Sequence, residues 1–235
     1  MSLTTEQLLG RDESHLVAAG DSVRLCPEVV AAFARLQDDA RAAGFELATA
    51  SCFRSFERQL AIFNGKAAGE RPVHDDGGRV LDALSLTPVE RLHAILRFSA
   101  LPGASRHHWG TDLDVYDANA MPQGYHLHLS PEEVAPGGMF DAMHCWLDAR
   151  MEQGESHGFF RPYGEDRGGV APERWHLSYA PLASGCEGAL TPAVLQASWV
   201  GIELGLREEV ERELAAIFAR YVSVPIGWCP AASAG

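Results

Sequence analysis

The sequence predicts an α+β protein in which a small antiparallel sheet is flanked by helices and followed by a helical C-terminal tail. Short stretches that alternate apolar and polar residues indicate strands, and longer stretches with apolar residues at helical spacing indicate helices. The chain has 235 residues, of which 46% are hydrophobic and 22% are charged. This length and composition are typical of one globular domain, or of one domain with an appended helical segment.

Four helices are predicted by apolar spacing together with signals at their ends. The first begins at Pro27 and ends near Gly44, and the second begins after Ser55, a suitable N-cap. The third follows Thr87, which forms a capping-box pattern with Glu90 three residues later. The fourth lies in the segment GGMFDAMHCWLDARMEQ, and two further helical patterns, TPAVLQASWVGIEL and REEVERELAAIFARYV, make up the tail.

Three strands are predicted, in the segments ELATAS, TDLDVYD and RWHLSYA. The segment AAGERPVHDDGGR is rich in glycine and polar residues and is therefore predicted to be a loop. A few short strands combined with several helices are typical of the α+β class.

The charge of the chain argues against two classes of partner. Its net charge is −13, from 19 basic and 32 acidic residues, whereas binding to nucleic acid or to an anionic membrane needs clustered Lys and Arg. No apolar run approaches the roughly 20 residues that cross a bilayer. The first residues, MSLTTEQLLGRDESHL, lack the basic and apolar regions of a signal peptide. We therefore expect a cytoplasmic protein; a periplasmic or exported protein whose leader has been removed is the alternative.

The cysteines agree with a reducing compartment. There are five, an odd number, at wide spacing and without a C-x-x-C motif. A disulfide framework or a thiolate zinc site would need paired or closely spaced cysteines. We expect free thiols, although a single disulfide bond with three spare cysteines is compatible with the sequence.

Two polar clusters are candidates for chemistry. The segment SRHHWGTDLDVYD places two histidines and three aspartates within eleven residues, and PERWHLSY adds Glu173 and His176. The first segment suggests either a metal site or a solvated polar loop that leads into a strand. Imidazole and carboxylate ligands suit zinc, and a catalytic zinc site uses three protein ligands and leaves one position for water.

A metal-dependent hydrolase also needs a nearby carboxylate that takes the proton of the activated water. Glu173 is the candidate, since it comes three residues before His176. On a flat strand, residues three apart point to opposite faces. Glu173 must therefore lie at the entrance of the strand, where Pro172 favours an irregular start.

Three motifs together resemble one known family. Ser105, His107, Gly110 and Asp114 match S-x-H-x-x-G-x-x-x-D, ERWHLSY matches E-x-x-H, and TASCFRSFERQ is similar to S-G-Y-R-S-x-x-x-Q. In this order they resemble the D-alanyl-D-alanine carboxypeptidase and dipeptidase branch (VanY-like) of the LAS zinc metallopeptidases, which also include lysostaphin-type and Hedgehog-type proteins. The resemblance spans roughly residues 49–180. It implies a peptidase domain over residues 1–182 and leaves residues 183–235 as a helical extension packed on that domain.

The resemblance implies a role for individual residues. One Zn²⁺ per chain is held by His107, Asp114 and His176. Glu173 is the general base and later the general acid, and Arg54 stabilises the oxyanion. Further assignments concern the substrate and its pocket. Gln59 and Ser105 are candidates for holding the substrate backbone or its terminal carboxylate, and Trp175 and Tyr179 are expected to pack or to line the pocket.

The chain also departs from the family pattern. Cys52 and Phe53 stand where glycine and tyrosine are usual, and both are interpreted as structural. Asp112 stands where a small residue is usual. It is either a partner of a ligand histidine or a solvent-facing strand residue, and the second interpretation is slightly favoured. His108 is expected to point away from the metal, and Asp117 to cap a turn. Four histidines without motif support are expected on the surface or among satisfied polar groups: His126, His128, His144 and His157.

The resemblance implies a zinc-dependent carboxypeptidase or dipeptidase that hydrolyses D-alanine-containing stem peptides of peptidoglycan, or muropeptide fragments. Two alternatives are a non-catalytic, zinc-stabilised binding module of the Hedgehog type and a zinc amidase that acts on a different peptide. The presence of both Glu173 and Arg54 favours an enzyme, because a binding module needs neither. The oligomeric state is left open by the sequence.

Overall fold

The computed structural model describes residues 3–20 and 23–225. The helices are α1 (Thr5–Leu8), α2 (Pro27–Ala42), α3 (Phe56–Ala67), α4 (Pro88–Leu96), α5 (Pro131–Val134), α6 (Asp141–Glu152), α7 (Ala180–Ala189), α8 (Pro192–Ser198) and α9 (Arg207–Ile217). The strands are β1 (Val17–Ala18), β2 (Arg24–Leu25), β3 (Leu47–Ser51), β4 (Val73–His74), β5 (Val80–Leu81), β6 (Asp112–Asp117), β7 (Phe159–Phe160) and β8 (His176–Tyr179). Short 3₁₀ turns cover Ala83–Ser85 and Arg106–Trp109, and a π-helical turn, Phe218–Val222, continues α9.

A four-stranded antiparallel sheet with the order β3-β6-β8-β7 forms the centre of the fold. The three predicted strands are β3, β6 and β8, and they are neighbours in this sheet. Because side chains alternate along a strand, Leu113, Val115 and Leu177 point to one face, which is fully buried. Asp112, Asp114 and His176 share the opposite face, where the active-site candidates therefore gather.

Two large apolar clusters form most of the core, and a smaller one surrounds Phe140 and Trp175. One is formed by α2, α6 and the apolar face of the sheet, with Phe33, Leu36, Met143 and Leu147 among its buried members. The other contains α3 and α4 together with α7, α8 and α9. The C-terminal helices thus pack on the helices that precede the site, and they share one core with them.

Two of the predicted helix starts are confirmed by their capping contacts. Ser55 accepts the backbone N–H of Arg58, and Thr87 forms a complete capping box with Glu90. The helix predicted from Pro27 covers Pro27–Ala42. Side-chain oxygens at these positions satisfy backbone N–H groups that have no partner within the helix.

The structure differs from the predictions in several places. Helices α1 and α5 and strands β1, β2 and β7 were not predicted, and α8 ends at Ser198, before the end of its predicted segment. The predicted loop AAGERPVHDDGGR contains β4 and the turn of the β4–β5 hairpin, and β5 follows it directly. Asp75 Oδ1 holds this turn by accepting the N–H groups of Gly77 and Arg79. The tail has a further helix, α7, which has Pro181 in its first turn. Proline breaks a helix interior but is tolerated in the first turn, where its missing N–H has no partner to lose, so Pro181 lies inside this helix near its start.

Trp199 joins the tail to the rest of the molecule. Its side chain is fully buried in the second cluster, and its indole N–H donates to the carbonyl of Pro102, 2.9 Å away. Pro102 lies three residues before Ser105, at the edge of the site. Across the described residues, none of the helices combines the length and the apolar character that crossing a bilayer requires.

We expect Trp199→Ala to lower the free energy of unfolding by about 3–5 kcal/mol, since it leaves a large cavity and an unpaired carbonyl. The matched control is Val200→Ala, because the neighbouring Val200 is 81% exposed, and its effect should lie within about 0.5 kcal/mol. Urea denaturation monitored by circular dichroism measures both. Equal effects of the two substitutions would contradict the packing described here.

Candidate active site

The polar face of the sheet forms the floor of a cavity of about 620 Å³. Residues from β6 and β8 and from the segments that precede β6 and β8 line it, together with the tip of the β4–β5 hairpin. Most of the residues singled out from the sequence are among them: Arg54, Ser105, His107, Asp114, Glu173, Trp175 and His176.

His107, Asp114 and His176 present one ligand atom each within 4.8 Å of one another. Asp114 and His176 are directly opposite each other in the antiparallel pairing of β6 and β8. His107 comes from the 3₁₀ turn before β6. Its Nε2 lies 3.4 Å from Asp114 Oδ2, and His176 Nδ1 lies 3.5 Å from Asp114 Oδ1. All three side chains are buried.

The turn that carries His107 depends on Gly110. Gly110 has a φ of 69° and ends the turn in the left-handed region, which favours glycine. A Cβ at this position would lie 2.2 Å from Leu16 Cδ2, so a larger residue would displace the turn. His107 Nδ1 donates to the carbonyl of Cys52, 2.8 Å away. The lone pair of Nε2 is therefore free to bind a metal.

His176 is oriented by a buried chain of charged groups. Its Nε2 donates to Asp112 Oδ1 at 2.9 Å, which leaves Nδ1 as the ring nitrogen that faces Asp114. Asp112 in turn accepts a hydrogen bond from Arg106 Nε at 2.9 Å, and Arg106 Nη1 donates to Glu187 on α7 at 2.6 Å. The interpretation of Asp112 as a solvent-facing residue is wrong, because its side chain is fully buried and holds a ligand histidine.

Asp114 and His176 supply the test of whether a metal ion fits these residues. Asp114 Oδ1 is buried and has no hydrogen-bond partner, an unfavourable state unless a cation binds there. Burial opposes charge on His176, but its hydrogen bonds to Asp112 and Glu173 and the charge of Asp114 outweigh burial and raise the pKa of His176 to about 10. The converging side chains therefore form a site that attracts positive charge. Tetrahedral zinc at about 2.0–2.2 Å from its ligands separates them by about 3.3–3.6 Å, close to the 3.4 and 3.5 Å that separate the two histidines from the oxygens of Asp114.

Glu173 lies at the entrance of β8, as the sequence requires. The N–H of His176 donates to the carbonyl of Glu173 at 3.1 Å, so a tight turn separates the two residues. The N–H of Glu173 donates to the carbonyl of Tyr163 at 2.8 Å. The turn lets both side chains face the cavity, and Glu173 Oε2 lies 3.2 Å from His176 Nδ1. Glu173 is thus placed beside the ligand atoms without being one of the three residues that converge.

Arg54 is held against the same cavity by its backbone and its side chain. Its N–H donates to the carbonyl of His107 at 3.1 Å, and its carbonyl accepts a hydrogen bond from His108 Nδ1 at 2.6 Å. His108 therefore points away from the metal ligands, as predicted, and burial lowers its pKa to about 3. Arg54 Nη1 donates to Gln59 Oε1 at 3.0 Å, and burial also lowers the pKa of Arg54.

The four residues predicted to contact substrate divide into three groups. Ser105 and Trp175 line the cavity. Gln59 is fully buried, and it connects Arg54 to the carbonyl of Ala100, to which its Nε2 donates at 2.7 Å. Tyr179 is not brought to the cavity: it lies on the apolar face of β8 and packs on Phe159, with 5.4 Å between ring centroids. It lies three positions after His176, and this odd offset places it on the other face of the strand.

Several residues of the cavity were not found from the sequence. Tyr163 packs its ring edge-to-face on His176 at 5.1 Å, and burial raises the pKa of its hydroxyl. His128, expected on the surface, lines the cavity, as does Ser99. None of them belongs to a motif.

This geometry agrees with the family to which the sequence points. Residues 22–182 match the VanY family, described as D-alanyl-D-alanine carboxypeptidases. The match covers more than two thirds of the chain and includes every residue of the site. The chain belongs to the VanY family.

Related proteins extend this comparison. Two uncharacterized proteins of Haemophilus influenzae are similar to this VanY-family chain. One is 46% identical over 105 residues (43% of this chain, 72% of the relative), and the other is 32% identical over 124 residues (52% and 92%). Among solved structures, VanYB in complex with D-alanine-D-alanine has a TM-score of 0.50 at 22% identity, covering 84% of this chain and 88% of the other. The LdcB LD-carboxypeptidase has the same TM-score and identity, covering 86% and 80%. These two structures share the fold.

We expect Asp112→Asn to weaken metal binding by about 10- to 100-fold, because the neutral amide orients His176 less firmly and makes it a weaker donor. Competition with a fluorescent chelator measures the dissociation constant. The matched control is Asp117→Asn, since Asp117 is buried on the same strand and accepts backbone N–H groups of Glu46 and Asn119 away from the ligands. Equal metal affinity in the parent and the Asp112→Asn variant would contradict the role assigned to Asp112.

Proposed function

We propose that this VanY-family protein is a zinc-dependent carboxypeptidase that releases C-terminal D-alanine from stem peptides of peptidoglycan. The observation that carries the proposal is the convergence of His107, Asp114 and His176 beside Glu173 in a cavity that Arg54 also lines. Two imidazoles and one carboxylate are a typical ligand set of catalytic zinc, which keeps a further position open.

Each of these side chains has a distinct task. When bound, zinc would act as a Lewis acid that activates water and polarises the carbonyl of the scissile peptide bond. Glu173 accepts the proton of the attacking water on its carboxylate and returns it to the leaving amine. Arg54 donates N–H groups to the oxygen on which negative charge develops. Asp112 holds the proton on His176 Nε2, which keeps Nδ1 available as a ligand.

The substrate assignment is supported by the family and by one structural relative. D-alanyl-D-alanine carboxypeptidase is the description of the family, and the VanYB structure contains D-alanine-D-alanine. A cavity of about 620 Å³ is large enough for a short peptide, since ligand pockets usually measure about 300–1,000 Å³. We propose a stem peptide or a muropeptide fragment that carries one as the natural substrate.

We expect Glu173→Gln to reduce the rate of D-alanine release by about 10²–10⁴-fold, because glutamine cannot accept a proton. The zinc content should stay near that of the parent, since the three ligand residues are unchanged. The assay measures D-alanine released from tripeptide, tetrapeptide and pentapeptide stems, with zinc determined in the same samples. His176→Ala provides the contrast, because it should lose zinc and activity together.

Two results would refute the proposal. One is a Glu173→Gln variant that hydrolyses D-alanine-terminated peptides at the parent rate. The other is a parent protein that binds zinc normally but hydrolyses no stem peptide of any length, which would favour a binding module.

We also propose that the protein works in a reducing compartment, the cytoplasm. The support is the state of the described cysteines: Cys26, Cys52 and Cys186 are buried and Cys145 is exposed, all as free thiols. Burial raises the pKa of the three buried thiols to about 12, which keeps them protonated and unreactive. Cys229 lies outside the described residues.

Alkylation of the protein, denatured without reductant, tests this proposal. We expect all five cysteines of the chain to be alkylated, as determined by intact-mass spectrometry. Two defined disulfide bonds would contradict it and would indicate an exported protein.

A further inference from the structure

A lysine and a serine form a hydrogen-bonded pair at the edge of the cavity. Lys66 Nζ donates to Ser99 Oγ at 2.7 Å. Ser99 lines the cavity, and Lys66, on α3, is half-buried behind it. Lys66 is the only lysine in the chain, whose other basic residues are all arginine.

The pair has a defined direction. A protonated lysine has three N–H donors and no acceptor, so the Ser99 oxygen accepts and its own hydrogen must point elsewhere. Within residues 3–20 and 23–225, no hydrogen bond takes up that hydrogen. Ser99 is therefore a hydroxyl whose free donor is available to a molecule in the cavity.

Helix α3 holds both this donor and Arg54 at the cavity. Gln59 and Lys66 are seven residues apart, which places them on the same side of the helix, two turns from each other. Gln59 holds Arg54 and the carbonyl of Ala100, while Lys66 holds the neighbouring Ser99. One face of α3 thus fixes both Arg54 and Ser99 at the same wall of the cavity.

The charges at this wall favour an anion. In the part of the chain that the structure describes, neither Arg54 nor Lys66 forms an ion pair with a carboxylate: their side-chain partners are the neutral Gln59 and Ser99. Burial lowers the pKa of Lys66, and repulsion by Arg54 and Arg71 lowers it further. Asp114 and Glu173 offset these two half-buried charges only through space, and a bound carboxylate would give them a direct partner.

We propose that Ser99, oriented by Lys66, binds the free C-terminal carboxylate of the substrate and so makes the enzyme select peptides that end at the scissile residue. The inference rests on the proposed carboxypeptidase function. Ser99 is the specificity residue that contacts substrate, and Lys66 is a positioning residue that acts through it. A peptide whose carboxylate is replaced by an amide lacks the negative charge that this wall accommodates.

Calorimetry with an unhydrolysed peptide tests the proposal separately from catalysis. The protein is the zinc-loaded Glu173→Gln variant, and the probes are an N-acetylated tripeptide ending in D-alanyl-D-alanine and the same tripeptide with a C-terminal amide. We expect the acid to bind at least about tenfold more tightly than the amide, as the loss of one hydrogen bond to a charged group implies.

Adding Ser99→Ala or Lys66→Met should weaken binding of the acid by about tenfold and change binding of the amide by no more than about twofold. Ser85→Ala is the control, since Ser85 is exposed and bonds only to the backbone of its own turn. Thermal unfolding verifies that each variant is folded. If Lys66→Met does not fold, Ser99→Ala, which is the smaller change, is sufficient to test the inference.

The inference would be overturned if the Glu173→Gln protein bound the acid and the amide peptides equally tightly. It would also be overturned if Ser99→Ala or Lys66→Met weakened binding of both peptides by the same factor. A different result would separate the two proposals. If the protein with Glu173 intact releases no D-alanine, but calorimetry still shows a preference for the acid peptide that Ser99→Ala removes, the carboxylate site is supported and the proposed catalytic function fails.

Discussion

The cross-strand pairing of Asp114 with His176 is the contact on which the other parts of the site depend. A shift of either strand by one residue would move its polar side chains to the apolar face. Leu113 and Leu177, opposite each other and fully buried, oppose such a shift. The hydrophobic core therefore sets the register that brings the two ligands together, and His107 completes the group from the turn before β6.

Burying this much charge requires an extended network. Asp112, Arg106 and His176 are all nearly inaccessible to solvent, and isolated charges at such positions would be strongly unfavourable. Each charge here has a partner of opposite sign, and the chain of contacts ends at Glu187, which also accepts the N–H of Val224 at 2.6 Å. The C-terminal extension thus supplies a carboxylate to the network behind a metal ligand. Through Trp199 it also supports the segment that leads to Ser105.

Much of the local structure could be predicted from the sequence, because the signals are local. Alternation located β3, β6 and β8, and the capping residues Ser55 and Thr87 located two helix starts. His107, Asp114, His176 and Glu173 lie in short motifs, so the sequence alone could single them out, and the structure brings them together. The turn between Glu173 and His176 then explains how a spacing of three is compatible with a shared cavity.

Other features depend on contacts between distant segments, for which a single sequence has no signal. The sequence favoured a solvent-facing position for Asp112, which is in fact buried. Its partners, Arg106 and His176, come from separate elements, so no local pattern indicates them. Lys66 and Ser99 are 33 positions apart and meet only when α3 packs beside the segment after α4. Tyr163 belongs to no regular element, and the β4–β5 hairpin is formed by strands of two residues each, too short for alternation to be visible.

The most direct test of the account is the coordination of the metal in the purified protein, measured by zinc analysis together with X-ray absorption spectroscopy at the zinc edge. The account predicts one zinc per chain, bound by two imidazoles and by oxygen ligands, without sulfur. It also predicts that the spectrum is unchanged by Glu173→Gln, since Glu173 is not a ligand. A sulfur ligand, a second zinc nearby, or a first shell altered by Glu173→Gln would contradict it.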